Sequence, residues 1–250
     1  MTGPHGRALV TGGSAGLGAA MARWLASRGY DVVVLDRDET GPGTPLADFI
    51  QCDLASRTQL DRVLPGLIAA GPYDLVVLNA GISATGRFEE IPAHTHLEVL
   101  RVNAEAPMVI AARLLEAGAF TPKAAIAFVS SLSHFTGYPG AAAYAASKDA
   151  LAIYASSMRK VAVARGVSIT VAFPGPLRTD HAETYAPEGA DASKRMEPDL
   201  AAGLILADVL SGKKTSIPGS ANRLAAIAGR ILSKPMTGLM RRLVYDRLKR

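Results

Sequence analysis

The sequence predicts an α/β protein built on a doubly wound parallel sheet. Short apolar runs rich in β-branched residues alternate along the chain with longer stretches of helical periodicity, and this alternation is typical of βαβ units. The chain has 250 residues, of which 49% are hydrophobic, so it can bury one large core. We predict a single domain over residues 1–220, followed by a helical C-terminal extension over residues 221–250.

The predicted elements follow one another in a regular order. The first helical stretch ends at Gly29, a residue type that suits the position after a helix, whereas Pro65 leaves the middle of the second helix open. The polar stretch Thr179–Glu197 lacks clear periodicity, and we interpret it as a loop or short helices over the carboxyl edge of the sheet, where ligands bind in such folds. The predicted strands are Ala8–Thr11, Val32–Asp36, Ile50–Cys52, Leu75–Asn79, Ala124–Ser130, Val167–Phe173 and Thr215–Ile217, and the later helices are His96–Ala117, Ala143–Ala164 and Leu200–Leu210.

The positive charge of the chain lies in its C-terminal tail. The formal net charge is +5, but residues 222–250 hold eight basic residues and one acidic residue, a net charge of +7, which leaves −2 for the rest. A nucleic-acid-binding protein would instead show a basic face with interleaved aromatic residues or a known binding module. We therefore predict no nucleic-acid partner.

Three features of the chain indicate a cytoplasmic protein. Cys52 is the one cysteine, so no internal disulfide can form and a reducing compartment is expected. No apolar run is long enough to span a bilayer. The N-terminal residues lead straight into a strand-like pattern without the apolar core of a signal peptide. No metal site is predicted.

The segment TGGSAGLG, residues Thr11–Gly18, joins the first predicted strand to the first predicted helix. Glycines there permit a tight turn and let the backbone approach a pyrophosphate, which the free N–H groups of a helix N-terminus can bind. Because a strand precedes the segment and a helix follows it, we interpret it as a dinucleotide-binding loop of a Rossmann-type fold. The loop residues predicted to bind the cofactor are Gly12, Ser14, Ala15, Gly16, Leu17 and Gly18.

Asp36 ends the second predicted strand, 18 residues after Gly18. A carboxylate at this position can accept hydrogen bonds from the adenosine ribose and repel a 2′-phosphate, which favours NAD as the cofactor. Arg37 follows directly, and its guanidinium could stack on adenine or meet a 2′-phosphate, so NADP stays as the alternative.

The segment SSLSHFTGYPGAAAYAASK, residues Ser130–Lys148, places a tyrosine and a lysine four residues apart. Tyr144 and Lys148 then share one face of a helix. A phenol with a pKa of about 10 is a poor base at neutral pH, and a nearby ammonium group favours its ionised form. Taken alone, the two residues would be an ordinary pair on an exposed helix.

Several motifs together resemble those of the classical short-chain dehydrogenase/reductase (SDR) family. The glycine loop resembles the family's TGxxxGxG motif, and LNAG at Leu78–Gly81 resembles NNAG with leucine in place of the first asparagine. YAASK at Tyr144–Lys148 resembles YxxxK, and PGPLRT at Pro174–Thr179 resembles PGxxxT. The resemblance covers about residues 7–217.

The resemblance implies an NAD(P)-dependent oxidoreductase with four catalytic residues. Tyr144 would act as acid/base, Lys148 would lower its pKa, and Ser131, which precedes Tyr144 by 13 residues, would orient the substrate oxygen. Asn103 would hold a water that joins Lys148 to solvent. The implied cofactor contacts beyond the glycine loop, Asp36 and Arg37 are Asp53, Leu54, Asn79, Ala80, Gly81, Tyr144, Lys148, Pro174, Gly175, Leu177 and Thr179.

The chain departs from the family pattern in two regions. Only 16 residues separate Asp36 from Asp53, so a helix that many relatives have there is expected to be missing. The segment after Ile217 replaces the usual short glycine-containing end. Family resemblance still implies a homodimer or homotetramer assembled through the helices His96–Ala117 and Ala143–Ala164.

Residues just past the catalytic strands should line the substrate pocket, and the predicted ranges are Ser83–Phe88, Leu132–Tyr138 and Thr179–Tyr185. They form a mixed aromatic and polar set that suits a medium-sized alcohol or ketone, although aromatic residues here could equally pack the loops. The predicted substrate residues are Ser131, Ser133, His134, Tyr138, Tyr144, His181 and Tyr185.

The C-terminal extension has an amphipathic and basic pattern. Its apolar residues recur at helical spacing in two groups, which are Leu224, Ile227, Ala228 and Ile231, and Met236, Leu239, Met240 and Leu243. One interpretation is packing against the core or a partner subunit, or over the substrate pocket. The other is peripheral contact with a membrane.

Three functions fit the sequence. The first is interconversion of a secondary alcohol and a ketone by hydride transfer. The second is dehydrogenation of a cyclic diol to an aromatic or enone product, with which the short region between Asp36 and Asp53 is compatible. The third is a non-catalytic nucleotide-sensing or membrane-associated protein, which would be expected to have lost Ser131, Tyr144 or Lys148, all of which are present.

Overall fold

The protein is described by a computed structural model that covers residues 6–39, 46–185, 193, 195–232, 238–242 and 245–247. Among these residues, seven strands form one parallel sheet in the order β3-β2-β1-β4-β5-β6-β7. The order reverses between β1 and β4, which opens a crevice at the carboxyl edge of the sheet. The strands are β1 Gly6–Thr11, β2 Tyr30–Asp36, β3 Asp48–Gln51, β4 Tyr73–Leu78, β5 Phe120–Val129, β6 Ser168–Ala172 and β7 Thr215–Ser216.

Helices cover both faces of the sheet, which confirms the predicted doubly wound α/β class. Helices α1 and α8 pack on one face, and α2, α4 and α6 pack on the other. Short 3-10 turns lie at Phe88–Glu90 and Tyr245–Arg247, and residues 238–242 are helical. The α-helices are α1 Gly16–Ala26, α2 Arg57–Ala69, α3 Ala93–Leu100, α4 Ala106–Glu116, α5 Ser133–Thr136, α6 Ala142–Ala164, α7 Asp180–Thr184, α8 Pro198–Leu210 and α9 Ser220–Ile231.

The sheet separates the core into two apolar layers. Successive side chains of a strand point to opposite faces, so Val33 belongs to the layer under α2, α4 and α6, while Val34 belongs to the layer under α1 and α8. Both faces are covered, which explains why the central strands are almost uninterrupted apolar runs. No helix within the described part of the chain is long and apolar enough to cross a membrane.

Several boundaries differ from the sequence prediction. The predicted helix His96–Ala117 begins at Ala93 and contains a π-helical turn at Arg101–Glu105, between α3 and α4. β5 begins at Phe120, before the predicted start, because the strand continues through a register shift beside Lys123, whose φ is 68°.

The structure answers questions that the sequence left open about helix α2, the region before β3 and the loop after Thr179. Helix α2 continues through Pro65, whose ring is exposed and so meets solvent rather than the core. No helix lies between Asp36 and β3 among the described residues, and residues 40–45 lie outside them. In the predicted loop Thr179–Glu197, helix α7 follows Thr179, and residues 186–192 and 194 lie outside the described part.

Helix α9 packs on the core through its smallest residues. Ala226 and Gly229 are its buried positions, and a Cβ atom added at Gly229 would lie 2.1 Å from the carbonyl oxygen of Phe135 in α5. The guanidinium of Arg230 lies 4.7 Å from the centre of the Phe135 ring. The extension therefore contacts the segment that follows β5.

The apolar stripe that the sequence predicted on α9 faces solvent. Leu224, Ile227 and Ile231 are 68%, 53% and 74% exposed. The prediction that the extension packs on the core is thus correct. The large apolar residues do not provide this packing, because the close approach of α9 to α5 leaves room only for small side chains. Leu239 is also exposed, and Met236 and Leu243 lie outside the described residues.

The close seating of α9 predicts opposite effects for two glycine substitutions. Gly66 lies inside α2 with no atom near an added Cβ, so Gly66→Ala should raise the free energy of unfolding by about 0.5–1 kcal/mol through helix propensity. Gly229→Ala should lower it by about 1–3 kcal/mol, because the methyl group would overlap the Phe135 carbonyl. Urea unfolding of both variants checks this, and equal stabilisation by both would contradict the contact.

Candidate active site

The glycine loop lies between β1 and α1, and its shape excludes side chains at several positions. Gly12 and Gly16 have φ values of 66° and 52°, in the region that favours glycine. A Cβ atom at Gly18 would lie 1.8 Å from the carbonyl oxygen of Gly12. The loop is thus compact, and its backbone is open to a close ligand.

The N-terminus of α1 is free to bind an anion. Ala15 is its N-cap residue and offers no side-chain hydrogen bond to the first turn, so backbone N–H groups of this turn are left for a ligand. The Leu17 side chain is buried in the core, so its backbone is the part that faces this position. The uncapped helix and the glycine cradle fit the pyrophosphate of a dinucleotide.

Asn79, at the end of β4, holds the glycine loop in place. Its Nδ2 donates to the carbonyl oxygens of Thr11 and Gly12, at 3.1 Å each. The backbone N–H groups of Asn79 and Ala80 both donate to the Thr11 hydroxyl. The predicted cofactor residues after β1 and after β4 are therefore joined to each other, while Leu78 is buried in the sheet core.

Asp36 lies beside the glycine loop. Its carboxylate accepts hydrogen bonds from the backbone N–H of Ser14 at 2.9 Å and of Arg37 at 2.7 Å. The Arg37 guanidinium pairs with Asp38 at 2.9 Å, and this hydrogen bond raises the pKa of Arg37. Arg37 is thus held by a neighbouring acid at the exposed edge of the crevice.

Asp53 and Leu54 follow β3 at the same edge of the sheet. The Asp53 carboxylate accepts the N–H of Ala55 at 2.9 Å, and the Asp53 N–H donates to the side chain of Gln59. Leu54 is buried. Both residues are fixed by the turn that leads into α2.

Lys148 is anchored to the end of β5. Its side chain is 3% exposed, and its Nζ donates to the carbonyl oxygen of Val129 at 2.9 Å. The Ser130 hydroxyl donates to the carbonyl oxygen of Lys148, also at 2.9 Å. A Cβ atom at Gly81 would lie 3.0 Å from Nζ, so glycine is needed where the loop after β4 passes the ammonium group.

Ser131 and Tyr144 meet in front of Lys148. The Tyr144 side chain lies close to Ser131, and Nζ of Lys148 lies 6.0 Å from the centre of the Tyr144 ring. Burial raises the pKa of Tyr144, and Ser131 acts in the opposite direction. The structure thus brings together the serine, tyrosine and lysine that the sequence predicted as one group.

Asn103 lies in the π-helical turn between α3 and α4. Its Oδ1 accepts the N–H of Ile82 at 2.8 Å, and its Nδ2 donates to the carbonyl oxygen of Ile82 at 2.9 Å and to the Ser147 hydroxyl at 3.0 Å. Both amide hydrogens are therefore used by protein groups. The Asn103 side chain joins the loop after β4 to α6, and the predicted water beside it stays a prediction.

The loop Pro174–Thr179 contacts both the segment after β5 and the glycine loop. The carbonyl oxygen of Pro174 accepts the N–H of Leu132, Leu177 pairs with Met196, and the Thr179 hydroxyl accepts the N–H of Ala182 at 3.1 Å. A Cβ atom at Gly175 would lie 2.4 Å from Oδ1 of Asn222. At Gly16 it would lie 3.3 Å from Cγ2 of Thr179, so this loop flanks the glycine loop.

The predicted substrate residues have different environments. Tyr138 contacts Tyr144 edge-on, with the ring centres 6.3 Å apart, and burial raises its pKa. Ser133 donates its N–H to the Ser131 hydroxyl at 3.2 Å. The His181 side chain lies outside the described structure.

The His134 ring contacts an aspartate and a phenylalanine. Its Nδ1 lies 2.9 Å from Oδ1 of Asp149, and its ring stacks on Phe173, with the centres 5.1 Å apart. The aspartate on α6 could not be foreseen as its partner, because it lies 15 residues away in the sequence.

A cavity of about 390 Å³ lies beside the loop that follows β4. Tyr185 and residues 83–86 of the predicted lining range Ser83–Phe88 line it. The residues from the start of α3 were missed, because the sequence carries no motif there. The lining consists of Ser83, Ala84, Thr85, Gly86, Glu90, Ile91, Pro92, Thr95 and Tyr185.

Comparison with known proteins assigns the family. The sequence model described as short chain dehydrogenase matches residues 7–189, which include the glycine loop and the Ser131–Lys148 segment. The chain belongs to the short-chain dehydrogenase family. It is accordingly an NAD(P)-dependent oxidoreductase, as the motifs predicted.

Three similar proteins illustrate this membership. An uncharacterized oxidoreductase of Myxococcus xanthus is 31% identical over 183 residues, which are 69% of this chain and 72% of that protein. The 3-oxoacyl-[acyl-carrier-protein] reductase MabA of Mycobacterium tuberculosis is 30% identical over 174 residues, 69% of each chain. The structure of a putative NAD(P) dependent gluconate 5-dehydrogenase from Beutenbergia cavernae, with bound NADP, is 25% identical with a TM-score of 0.74, and covers 86% of this chain and 94% of that one.

The buried lysine of this short-chain dehydrogenase should leave a signature in the pH dependence of stability. Burial lowers the pKa of Lys148 from 10.5 to about 8. The folded protein thus loses this proton at a lower pH than the unfolded chain does. The free energy of unfolding therefore increases as the pH rises from about 8 to 10.5. A shift of about 2.5 pKa units corresponds to roughly 3 kcal/mol.

We expect Lys148→Met to remove this gain. Urea unfolding at several pH values, from about pH 7 to pH 10, should show the wild type becoming more stable relative to Lys148→Met as the pH rises. Lys160→Met changes an exposed lysine of the same helix and should keep the pH dependence of the wild type. A constant difference between the wild type and Lys148→Met would contradict the burial of a titrating ammonium group.

Proposed function

We propose that this enzyme interconverts a secondary alcohol and a ketone by hydride transfer. The observation that carries the proposal is that Ser131, Tyr144 and Lys148 lie together, with Ser131 close enough to lower the pKa of Tyr144 and Nζ of Lys148 6.0 Å from the centre of the tyrosine ring. These groups lie at the carboxyl edge of the sheet, at the end of the crevice opposite the glycine loop. The name of the mycobacterial relative, a 3-oxoacyl reductase, supports a ketone as the group that is reduced.

Two hydroxyl groups would act on the substrate oxygen. In the oxidative direction the alcohol would lose a proton from oxygen and a hydride from carbon, and bound NAD(P) would supply the hydride acceptor. Tyr144 would take the proton as general base, and Ser131 would donate a hydrogen bond that holds the oxygen in place. In the reductive direction Tyr144 would return the proton to the new alkoxide.

Charge near Tyr144 would make its hydroxyl a usable base. Burial raises the pKa of Tyr144, so without a compensating charge the phenol stays protonated at neutral pH. Lys148, whose pKa is lowered to about 8, is still mainly charged at neutral pH and favours the phenolate. Asn103 and Ser130 would act as positioning residues, since they bind α6 at Ser147 and Lys148.

Asp36 supports NAD as the cofactor. The carboxylate is fixed beside the glycine loop by two backbone N–H groups, and a negative charge there would repel the 2′-phosphate of NADP. Arg37 is paired with Asp38, which reduces its attraction for a phosphate. NADP stays as the alternative, since the Beutenbergia relative binds it.

We also propose that the chain forms a homodimer or homotetramer through α3–α4 and α6. Exposed apolar side chains on both elements support this assembly, and they are Leu97, Leu100, Ile153, Val161 and Val163. The boundary between the catalytic domain and the extension is proposed at residue 220, where α9 begins. The cytoplasm remains the proposed location, on the basis of the lone, reduced Cys52.

Removal of the Tyr144 hydroxyl should abolish turnover. We expect Tyr144→Phe to lower kcat by about 10²–10⁴-fold, the usual contribution of a general acid/base, while the dissociation constant for NADH changes little. A screen of alcohols and ketones, followed by nicotinamide absorbance with NAD and with NADP, first provides a substrate. NADH fluorescence then measures cofactor binding.

Tyr154→Phe is the matched control for this substitution. Tyr154 lies on α6, as Tyr144 does. Its hydroxyl donates to the carbonyl oxygen of Met108 in α4, so turnover should persist. Turnover of Tyr144→Phe at the wild-type rate would remove Tyr144 from the proposed role.

Loss of the Asp36 charge should weaken the discrimination against NADP. We expect Asp36→Asn to change the ratio of the NADH and NADPH dissociation constants by about tenfold or more in favour of NADPH, because like charges at contact distance repel by about 1–4 kcal/mol. Asp31→Asn, at the exposed start of the same strand, should leave the ratio unchanged. An unchanged ratio for Asp36→Asn would show that another group selects the cofactor.

A further inference from the structure

We propose that the outer face of α9 docks on an anionic lipid bilayer. This outer face consists of Leu224, Ile227, Ile231 and Leu232, whose exposed fractions are 68%, 53%, 74% and 54%. Leu224, Ile227 and Ile231 are spaced by three and four residues, which places them on one side of the helix, and Leu232 follows as its C-cap residue. Four large apolar side chains in solvent on one short helix are more than scattered surface residues explain.

The outer face is not the side on which α9 is buried. The helix is seated by Ala226 and Gly229, which are buried against α5. A helix that needed only to pack could expose polar residues on its other side. The large apolar residues are therefore available to bind a partner other than the described part of the chain.

Charge complementarity identifies that surface as anionic. Arg223 and Arg230 are exposed on α9 itself, and Arg241 and Arg242 are exposed on the helical residues 238–242. Residues 222–250 carry a net charge of +7 on a chain whose remainder carries −2. An apolar helix face among basic side chains is the pattern of helices that lie in the interface of anionic membranes.

A second copy of the chain fits this face less well. A helix of 12 residues is about 18 Å long and about 10 Å wide, so the exposed strip covers roughly 200 Å². A stable interface needs about 800 Å² from each partner. Two strips brought together would also oppose two strongly basic segments, which repel each other.

Docking would place the substrate side of the crevice near the bilayer. α9 packs on α5, which begins two residues after Ser131. The 3-10 turn at Tyr245 lies close to Arg87, whose guanidinium is 5.7 Å from the tyrosine ring. The C-terminal extension thus contacts the segments after both β4 and β5, on the same side as the catalytic residues.

Vesicle co-sedimentation of the full chain tests the proposal. We expect binding to vesicles of phosphatidylcholine mixed with phosphatidylglycerol, weak binding to phosphatidylcholine alone, and loss of binding as salt is raised. Ile227→Glu should weaken binding by about tenfold or more, because it places a charge where an apolar side chain would enter the interface. Leu210→Glu, at an exposed apolar position at the end of α8, is the matched control and should bind as the wild type does.

Two measurements keep the result interpretable. Circular dichroism and NADH binding should show that Ile227→Glu is folded. Sedimentation velocity without vesicles should give the same mass for Ile227→Glu and the wild type; a change in mass would assign the outer face to a second copy and overturn the proposal. Equal binding of both vesicle types, equal binding of Ile227→Glu and the wild type, or no binding at all would overturn it as well.

Discussion

The catalytic arrangement depends on two hydrogen bonds that join the end of β5 to α6. One runs from Nζ of Lys148 to the carbonyl oxygen of Val129, and the other from the Ser130 hydroxyl to the carbonyl oxygen of Lys148. The chain leaves the sheet after Ser130 and returns on α6, and these bonds fix the helix against the strand at the point of return. Tyr144, one turn earlier on the helix, is thereby directed at Ser131. The first of these bonds also gives the buried ammonium group a partner, which offsets part of the free energy lost when a charge leaves water.

A second set of hydrogen bonds fixes the loop after β4 in the same way. Asn79 binds the carbonyl oxygens of Thr11 and Gly12, and Asn103 binds both backbone groups of Ile82. The loop after β4 is thus tied to the glycine loop on one side and to α6 on the other. The phosphate end and the catalytic end of the site are positioned against each other by side-chain amides, which are short and carry fixed donors and acceptors.

The sheet and the main site residues were predictable because their signals are local. Apolar runs covered on both faces identify the strands, glycines at a strand-to-helix turn identify the phosphate loop, and a spacing of four residues places Tyr144 and Lys148 on one helix face. The remaining features depend on contacts between distant residues. The pairing of His134 with Asp149, the π-helical turn around Asn103 and the solvent exposure of Ile227 arise from how helices meet, and no residue pattern in the sequence encodes such encounters.

The separation of residues on α9 has a consequence for how this protein can change during evolution. The positions that seat the helix, Ala226 and Gly229, are small and sterically fixed, whereas the apolar residues on its outer side are mainly exposed. Substitutions on the outer side can therefore accumulate without a loss of folding, and selection can adapt that surface independently of the catalytic centre. A protein with an exposed apolar surface on a tightly packed helix can change where it binds in the cell while its catalytic residues stay the same.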